Sequence, residues 1–109
     1  MTDLEIPFPF EVTRAACELG ENVRIARKRR RLLQADLAQK VGVTEKTVRR
    51  LERGDAGVSI GNVLSVLWAL GLISNAKALA DPDRDEHGKT LELARLPKRV
   101  RHPFPGNDF

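Results

Sequence analysis

The sequence predicts an all-α fold with one small hydrophobic core. Apolar residues recur at three- and four-residue spacing along much of the chain, which is the period of an amphipathic helix. Residues that favour helix starts and ends, such as Thr44, Ser59 and Gly71, separate these segments. The 109 residues are 41% hydrophobic, which is enough for one domain to form a core without disulfides or metals.

The first two predicted helices precede a glycine turn. The first runs from about Glu11 to Arg30 and has one apolar stripe. Gly20 interrupts it and leaves two possibilities, a kink or a break between two helices. On this helix Cys17 has no nearby histidine and is predicted to be a buried small side chain. The second helix spans Gln34–Val41, and Gly42 supplies the conformation that a tight turn needs.

Two further helices are predicted from their caps. Thr44 caps a third helix, which Gly54 ends, and Ser59 caps a fourth, which runs to about Leu70. The fourth helix is apolar over more than half of its circumference, so one small core cannot bury all of it. A second buried surface is therefore expected, supplied either by a subunit partner or by the terminal segments folding back. The apolar residues concerned are Ile60, Val63, Leu64, Val66, Leu67, Trp68 and Leu70.

The rest of the chain gives weaker signals. A fifth short helix is predicted over Asn75–Leu79 and a turn over Asp81–Asp85, whereas Thr90–Leu96 fits either a helix or a strand. We therefore expect three parts: an N-terminal arm over residues 1–10 that two prolines keep extended, a helical domain over 11–80, and a C-terminal tail over 81–109.

Composition argues against membrane and secreted classes. No apolar run approaches the roughly 20 residues that a membrane helix needs, and the start of the chain lacks the basic-then-apolar pattern of a signal peptide. The single cysteine cannot form an intrachain disulfide and fits a reducing compartment. We expect a soluble, cytoplasmic, nucleoid-associated protein with no membrane partner.

Positive charge is concentrated in groups along the sequence. The net charge of +4 is weak evidence alone, but residues 24–31 hold six cations in eight positions. Clustered cations release counterions from a polyanion, which favours nucleic-acid binding. Two further groups are Lys46, Arg49, Arg50 and Arg53, and Arg95, Lys98, Arg99 and Arg101.

The segment Gln34–Gly54 predicts two short helices that cross at close distance. Small Ala38 allows the approach, and Gly42 makes the sharp turn. Val48 and Leu51 seal the second helix onto the first. The outward side of the second helix is polar and can reach base edges or phosphates in a major groove. Its outward residues are Thr44, Glu45, Lys46, Thr47, Arg49 and Arg50.

This segment resembles the helix-turn-helix of the Xre family, which includes the lambdoid phage repressors. The resemblance spans about Leu19–Leu72 and implies a lambda-repressor-like helical bundle that binds DNA. It rests on residues that fall at the family's spacing, namely Gln34, Leu37, Ala38, Gly42, Val43, Val48, Glu52 and Gly54.

The resemblance also implies roles for single residues. Gln34 begins the first helix of the motif and would bind phosphate or support a neighbouring base contact. The positions that read bases in related repressors are those of Glu45, Lys46 and Arg50, and those that touch the backbone or a thymine methyl are those of Thr44 and Thr47.

Four other positions bear on the resemblance. The family pairs the glutamate that precedes the final glycine with an arginine of the first helix, which implies a structural pair between Glu52 and Arg27. Arg31 stands where many relatives have glycine, and it adds a cation near the expected DNA backbone. Leu33 stands where relatives have serine or threonine, so the usual N-cap before Gln34 is missing.

Two segments beyond the motif resemble HipB-type antitoxins. They are GDAGVSIGNVLSVLWALGL and DPDRDEHGKTLELARLPKRVR. The resemblance implies a homodimer that binds a palindromic operator, represses its own operon and binds a HipA-like Ser/Thr kinase toxin. For ARLPKRVR, the basic end of the second segment, a disordered basic tail is the other interpretation. The alternative function is a free-standing or phage-type Xre regulator without a toxin partner.

Two other classes of function are disfavoured. An enzyme is not expected, because no nucleophile with a base, no phosphate loop and no metal cluster is present in the sequence. No cofactor is expected either, since His87 and His102 have no further ligands at metal-binding spacing. A pure protein-interaction module is disfavoured because the outward side of the third helix remains cationic.

Overall fold

The computed structural model describes residues 8–96, and in this range it contains six α-helices, one 3-10 helix and no strand. The all-α prediction is therefore confirmed for this part of the chain. Residues 1–7 of the predicted arm and residues 97–109 of the predicted tail lie outside the described residues. The helices are α1 (Phe10–Arg29), α2 (Gln34–Val41), α3 (Glu45–Glu52), α4 (Ile60–Ala69), α5 (Ile73–Ala76), the 3-10 helix Pro82–Arg84, and α6 (Glu86–Arg95).

α1 runs without a break through Gly20, because this glycine lies against the end of α3. A Cβ atom at Gly20 would collide with the backbone carbonyl oxygens of Leu51 and Glu52. Of the two alternatives that the sequence leaves open, a break between two helices is therefore excluded, and the glycine allows α1 and α3 to pack closely. The burial predicted for Cys17 is wrong, because the residue is exposed. Its backbone nevertheless packs closely against Gly54, where an added Cβ atom would lie 2.7 Å from the Cα of Cys17.

α2 spans the predicted residues Gln34–Val41, and α3 lies between its predicted cap, Thr44, and its predicted end, Gly54. The turn between them is short, and Gly42 adopts a φ of 84°, a conformation that glycine reaches without steric cost. Thr44 caps α3, since its hydroxyl oxygen accepts a hydrogen bond from the Thr47 amide at 3.1 Å. At the start of α2 the missing hydroxyl cap is partly replaced, because Asp36 accepts a hydrogen bond from the Leu33 amide at 2.8 Å.

α4 completes the core with one face and exposes another. Ser59 caps it by accepting a hydrogen bond from the Asn62 amide at 3.2 Å. Val66 and Leu70 are buried, whereas Trp68 is exposed. The apolar core is shared by α1, α2, α3, α4 and the residue that follows α4. It consists of Val23, Ala26, Leu37, Ala38, Val48, Leu51, Val66 and Leu70.

The described residues fall into two compact units that divide between Lys77 and Ala78. In the first unit, the short helix α5 begins and ends earlier than the predicted Asn75–Leu79. In the second unit, Asp85 caps α6 by accepting a hydrogen bond from the Gly88 amide at 2.8 Å. α6 covers all but the last residue of the segment Thr90–Leu96, which the sequence left open between helix and strand, and the helix is the correct alternative.

Candidate nucleic-acid interface

A buried ion pair fixes the end of α3 against α1. Arg27 Nε lies 2.6 Å from Glu52 Oε2, and both side chains are almost fully buried. A second guanidinium nitrogen, Nη2, donates to Glu52 Oε1 at 3.0 Å, and Nη1 donates to the Leu32 carbonyl at 2.8 Å. All three nitrogens of the guanidinium thus donate hydrogen bonds inside the protein. The structural role predicted for Arg27 and Glu52 matches this geometry, and burial keeps Arg27 away from any DNA surface.

Gln34 shares the same buried carboxylate. Its side-chain Nε2 donates to Glu52 Oε1 at 3.0 Å, so the first residue of α2 is tied to the last residue of α3. The predicted site residue Gln34 therefore lies at the N-terminus of α2, half-buried, with its amide nitrogen already bonded. A helix N-terminus carries partial positive charge and free amides, which suits a phosphate.

The predicted threonines sit together at the start of α3. The hydroxyl oxygens of Thr44 and Thr47 are 3.0 Å apart and share a hydrogen bond. Since Thr44 also caps the helix, its hydroxyl has a structural function in this state. Thr44 is exposed and Thr47 is half-buried, so their methyl and hydroxyl groups lie at the edge of the outer face of α3.

Glu45, Lys46 and Arg49 line the exposed side of α3. Glu45 and Arg49 are four residues apart, and Arg49 Nη1 lies 3.7 Å from Glu45 Oε2. This distance is too long for a good hydrogen bond, so both side chains can turn to another partner at little cost. Lys46 is exposed, and no ion pair or hydrogen bond to another described residue holds its ammonium group.

Arg50 is held by an acidic residue that the sequence analysis did not select. Arg50 Nε donates to Asp55 Oδ2 at 2.7 Å, and the other carboxylate oxygen accepts the Gly57 amide at 2.7 Å. The hydrogen bond from Arg50 lowers the pKa of Asp55, and the amide of Gly57 adds to the effect. In the sequence Asp55 is only one residue of a loop, and its position beside Arg50 depends on the turn between them, in which Gly54 has a φ of 87°.

The cations at the end of α1 differ in availability. Arg27 is buried, whereas Lys28, Arg29 and Arg31 are exposed. Arg24 forms a bidentate pair with Glu21 at 2.9 and 3.0 Å, which lowers the pKa of the Glu21 carboxyl. The strongly basic run of residues 24–31 is thus a mainly exposed surface directly before α2.

The described residues contain neither a cluster of metal ligands nor a membrane-spanning helix. Between residues 8 and 96, no group of three or more histidine, cysteine, aspartate or glutamate side chains could hold a metal ion. Among the helices of the same part of the chain, none has the length and apolarity required to cross a membrane.

Comparison with known proteins identifies the arrangement. The profile of a helix-turn-helix domain matches residues 18–79, which is more than half of the chain and includes α2, the glycine turn and α3. No curated protein and no solved structure gave a match. The buried pair, the short turn and the polar outer face of α3 are the features expected of a domain that places its second helix in a DNA groove. The chain belongs to the helix-turn-helix domain family, of the Xre/Cro-like type, and carries that family's DNA-binding motif.

Proposed function

We propose that this chain is a sequence-specific transcriptional repressor that binds double-stranded operator DNA through α3. The observation that carries the proposal is the division of α3 into two sides. Val48 and Leu51 are buried in the core, while Lys46 and Arg50 lie four residues apart on the side that faces away from it. A short helix that is fixed by its inner side and cationic on its outer side fits a major groove.

The remaining predicted residues are assigned to supporting contacts. Gln34 at the start of α2 binds a phosphate or supports a base contact made by α3. Thr44 and Thr47 contact the DNA backbone or a thymine methyl, and the neighbouring pair Glu45 and Arg49 contacts bases or phosphate after it separates. The exposed cations that end α1 add phosphate contacts that do not depend on sequence.

The test begins by selecting duplexes that bind the full chain from a randomised pool, and it then compares variants on the selected site. Arg50→Ala should weaken binding to the selected site by about 1–3 kcal/mol and should weaken binding to random DNA much less. Arg14→Ala is the matched control, because Arg14 is an exposed α1 arginine with a carboxylate neighbour at 3.5 Å. Failure of the wild-type chain to enrich any sequence would refute the proposal.

The repressor is proposed to act as a homodimer on a palindrome. Ile60, Leu64 and Trp68 are spaced four residues apart and lie on one face of α4, where Ile60 is 71% and Trp68 64% exposed. A single apolar stripe of this kind suits a second copy packed about a two-fold axis, since the same surface then covers itself. A two-fold dimer would place its two α3 helices on half-sites about one DNA turn, or a multiple of it, apart.

The more specific proposal is a HipB-like antitoxin, which represses its own operon and binds a HipA-like Ser/Thr kinase toxin. It is supported by the resemblance of the segments after the motif and by the exposure of Leu91, Leu93 and Leu96 on or beside α6. A free-standing or phage-type regulator is the alternative. Either protein would work in the cytoplasm on nucleoid DNA. Binding of the purified chain to a kinase encoded beside it would distinguish the two.

A further inference from the structure

We propose that Asp55 is a positioning residue that presents Arg50 for guanine recognition. The inference rests on the proposed function, because it concerns how one side chain of the same surface reads DNA. It assigns to the loop after α3 a part in sequence specificity, and it identifies the preferred base from the arginine edge that the loop leaves available.

The Asp55 carboxylate is itself fixed from two directions. Its Oδ1 accepts the Gly57 amide at 2.7 Å, and its Oδ2 accepts Arg50 Nε at 2.7 Å. The backbone makes a third connection, since the Asp55 amide donates to the Arg50 carbonyl at 3.0 Å. The carboxylate therefore cannot follow a moving arginine, and the arginine is drawn to a carboxylate of fixed position.

The choice of nitrogen determines what Arg50 can still bind. The hydrogen bond to Asp55 uses Nε, and no other described residue accepts a hydrogen bond from the two terminal nitrogens of Arg50. These two nitrogens form the end of the guanidinium fork, which can donate two parallel hydrogen bonds. The paired acceptors that match this fork on a base edge are O6 and N7 of guanine in the major groove.

Holding the arginine in advance also lowers the cost of binding. A free arginine side chain loses rotamer freedom when it meets a base, and an arginine already held by Asp55 has lost much of it beforehand. Arg49, the next arginine on the same helix, is held less firmly. Its Nη1 lies 3.7 Å from Glu45 Oε2, which is too far for a hydrogen bond such as the one between Arg50 and Asp55. Arg50 is therefore the side chain of α3 that is best prepared for a directional contact.

The experiment compares base preferences from a randomised duplex pool for the full-length wild-type chain, D55N, R50K and the double variant. We expect the wild type to select guanine at one position of each half-site, and R50K to lose that preference because lysine has no fork. D55N should weaken the preference at the same base pair by at least several-fold and leave other positions unchanged. In the R50K background, D55N should cause no further change.

E21Q is the matched control, since it removes one negative charge and one arginine–carboxylate pair from α1. Its base preference should equal that of the wild type. A measurement without mutation complements the series. In the free wild-type protein, NMR should show the Arg50 Nε proton in slow exchange with solvent and a restricted side chain, and a freely averaging side chain would overturn the inference.

The possible failures differ from one another. A wild-type chain that enriches no sequence overturns both the proposed function and the inference. A wild-type chain that enriches a site, together with a D55N profile that is unchanged at the Arg50-dependent base, overturns only the inference. Tighter binding of D55N to all duplexes with unchanged preference also overturns it, because Asp55 would then compete with DNA for Arg50.

Discussion

The side-chain amide of Gln34 donates to the carboxylate of Glu52 across 3.0 Å, and this contact joins the start of α2 to the end of α3. The same carboxylate neutralises the buried guanidinium of Arg27 at 2.6 Å. One acid therefore fixes α1, α2 and α3 relative to one another. Because all three helices carry proposed DNA contacts, the buried pair of Arg27 and Glu52 determines the shape of the binding surface without touching DNA.

Glu52→Gln should destabilise the fold strongly. The substitution keeps the size of the side chain but leaves Arg27 buried without a counter-charge, and such a loss costs about 3–5 kcal/mol. Urea unfolding followed by circular dichroism measures the change. Glu21→Gln is the control, because the Glu21–Arg24 pair is exposed to solvent and should contribute far less to the free energy of unfolding. If both variants lost a similar free energy of unfolding, the buried pair would contribute no more to stability than the exposed pair, which would contradict the prediction.

Gly20→Ala should destabilise the fold although alanine favours helix. The added Cβ would meet the carbonyl oxygens of Leu51 and Glu52, which are backbone atoms that cannot rotate away. Overpacking of this kind costs about 1–3 kcal/mol.

Gly61→Ala provides the opposite case. Gly61 lies in α4 and has no neighbouring atom within 4 Å of an added Cβ, so the substitution should stabilise the chain by about 0.4–1 kcal/mol. Thermal unfolding of the two variants should therefore shift in opposite directions. A stable Gly20→Ala variant would show that α1 and α3 can separate without loss.

Gly42 and Gly20 show what the sequence can and cannot predict about this fold. The bounds of α2 and α3 followed from local signals, because Thr44 caps and Gly42 turns the chain through atoms of adjacent residues. The function of Gly20 depends on residues 31 and 32 positions later, so the local pattern indicated only an interruption of the helix, either a kink or a break. The pairing of Arg50 with Asp55 was missed for a related reason, since it requires the conformation of the turn between them.

Trp68→Lys should weaken the proposed homodimer with little effect on the monomer fold. Trp68 is exposed on α4, so a lysine can replace it without burying charge. Sedimentation of the wild type at micromolar concentration should give about twice the chain mass of 12.2 kDa, and the variant should approach the mass of one chain. Leu79→Lys is the control, because Leu79 is equally exposed but lies outside α4. A wild type that stays monomeric, alone and on DNA, would contradict the proposed dimer.

Removal of the chain after Asp83 should separate operator binding from partner binding. Within residues 8–96, the buried core lies entirely before this point, and the division between the two compact units falls between Lys77 and Ala78, so the helix-turn-helix should retain its fold. The removed part includes α6, which contains no buried residue and exposes Leu91 and Leu93. Exposed apolar side chains on a helix without a core are typical of a surface that associates with another protein. We therefore expect affinity for a HipA-like kinase to fall while affinity for the selected operator largely persists, with both measured by titration.

A truncated chain that binds the kinase as well as the full chain would show that the tail is not the partner surface, and a truncated chain that unfolds would assign the tail a structural role instead.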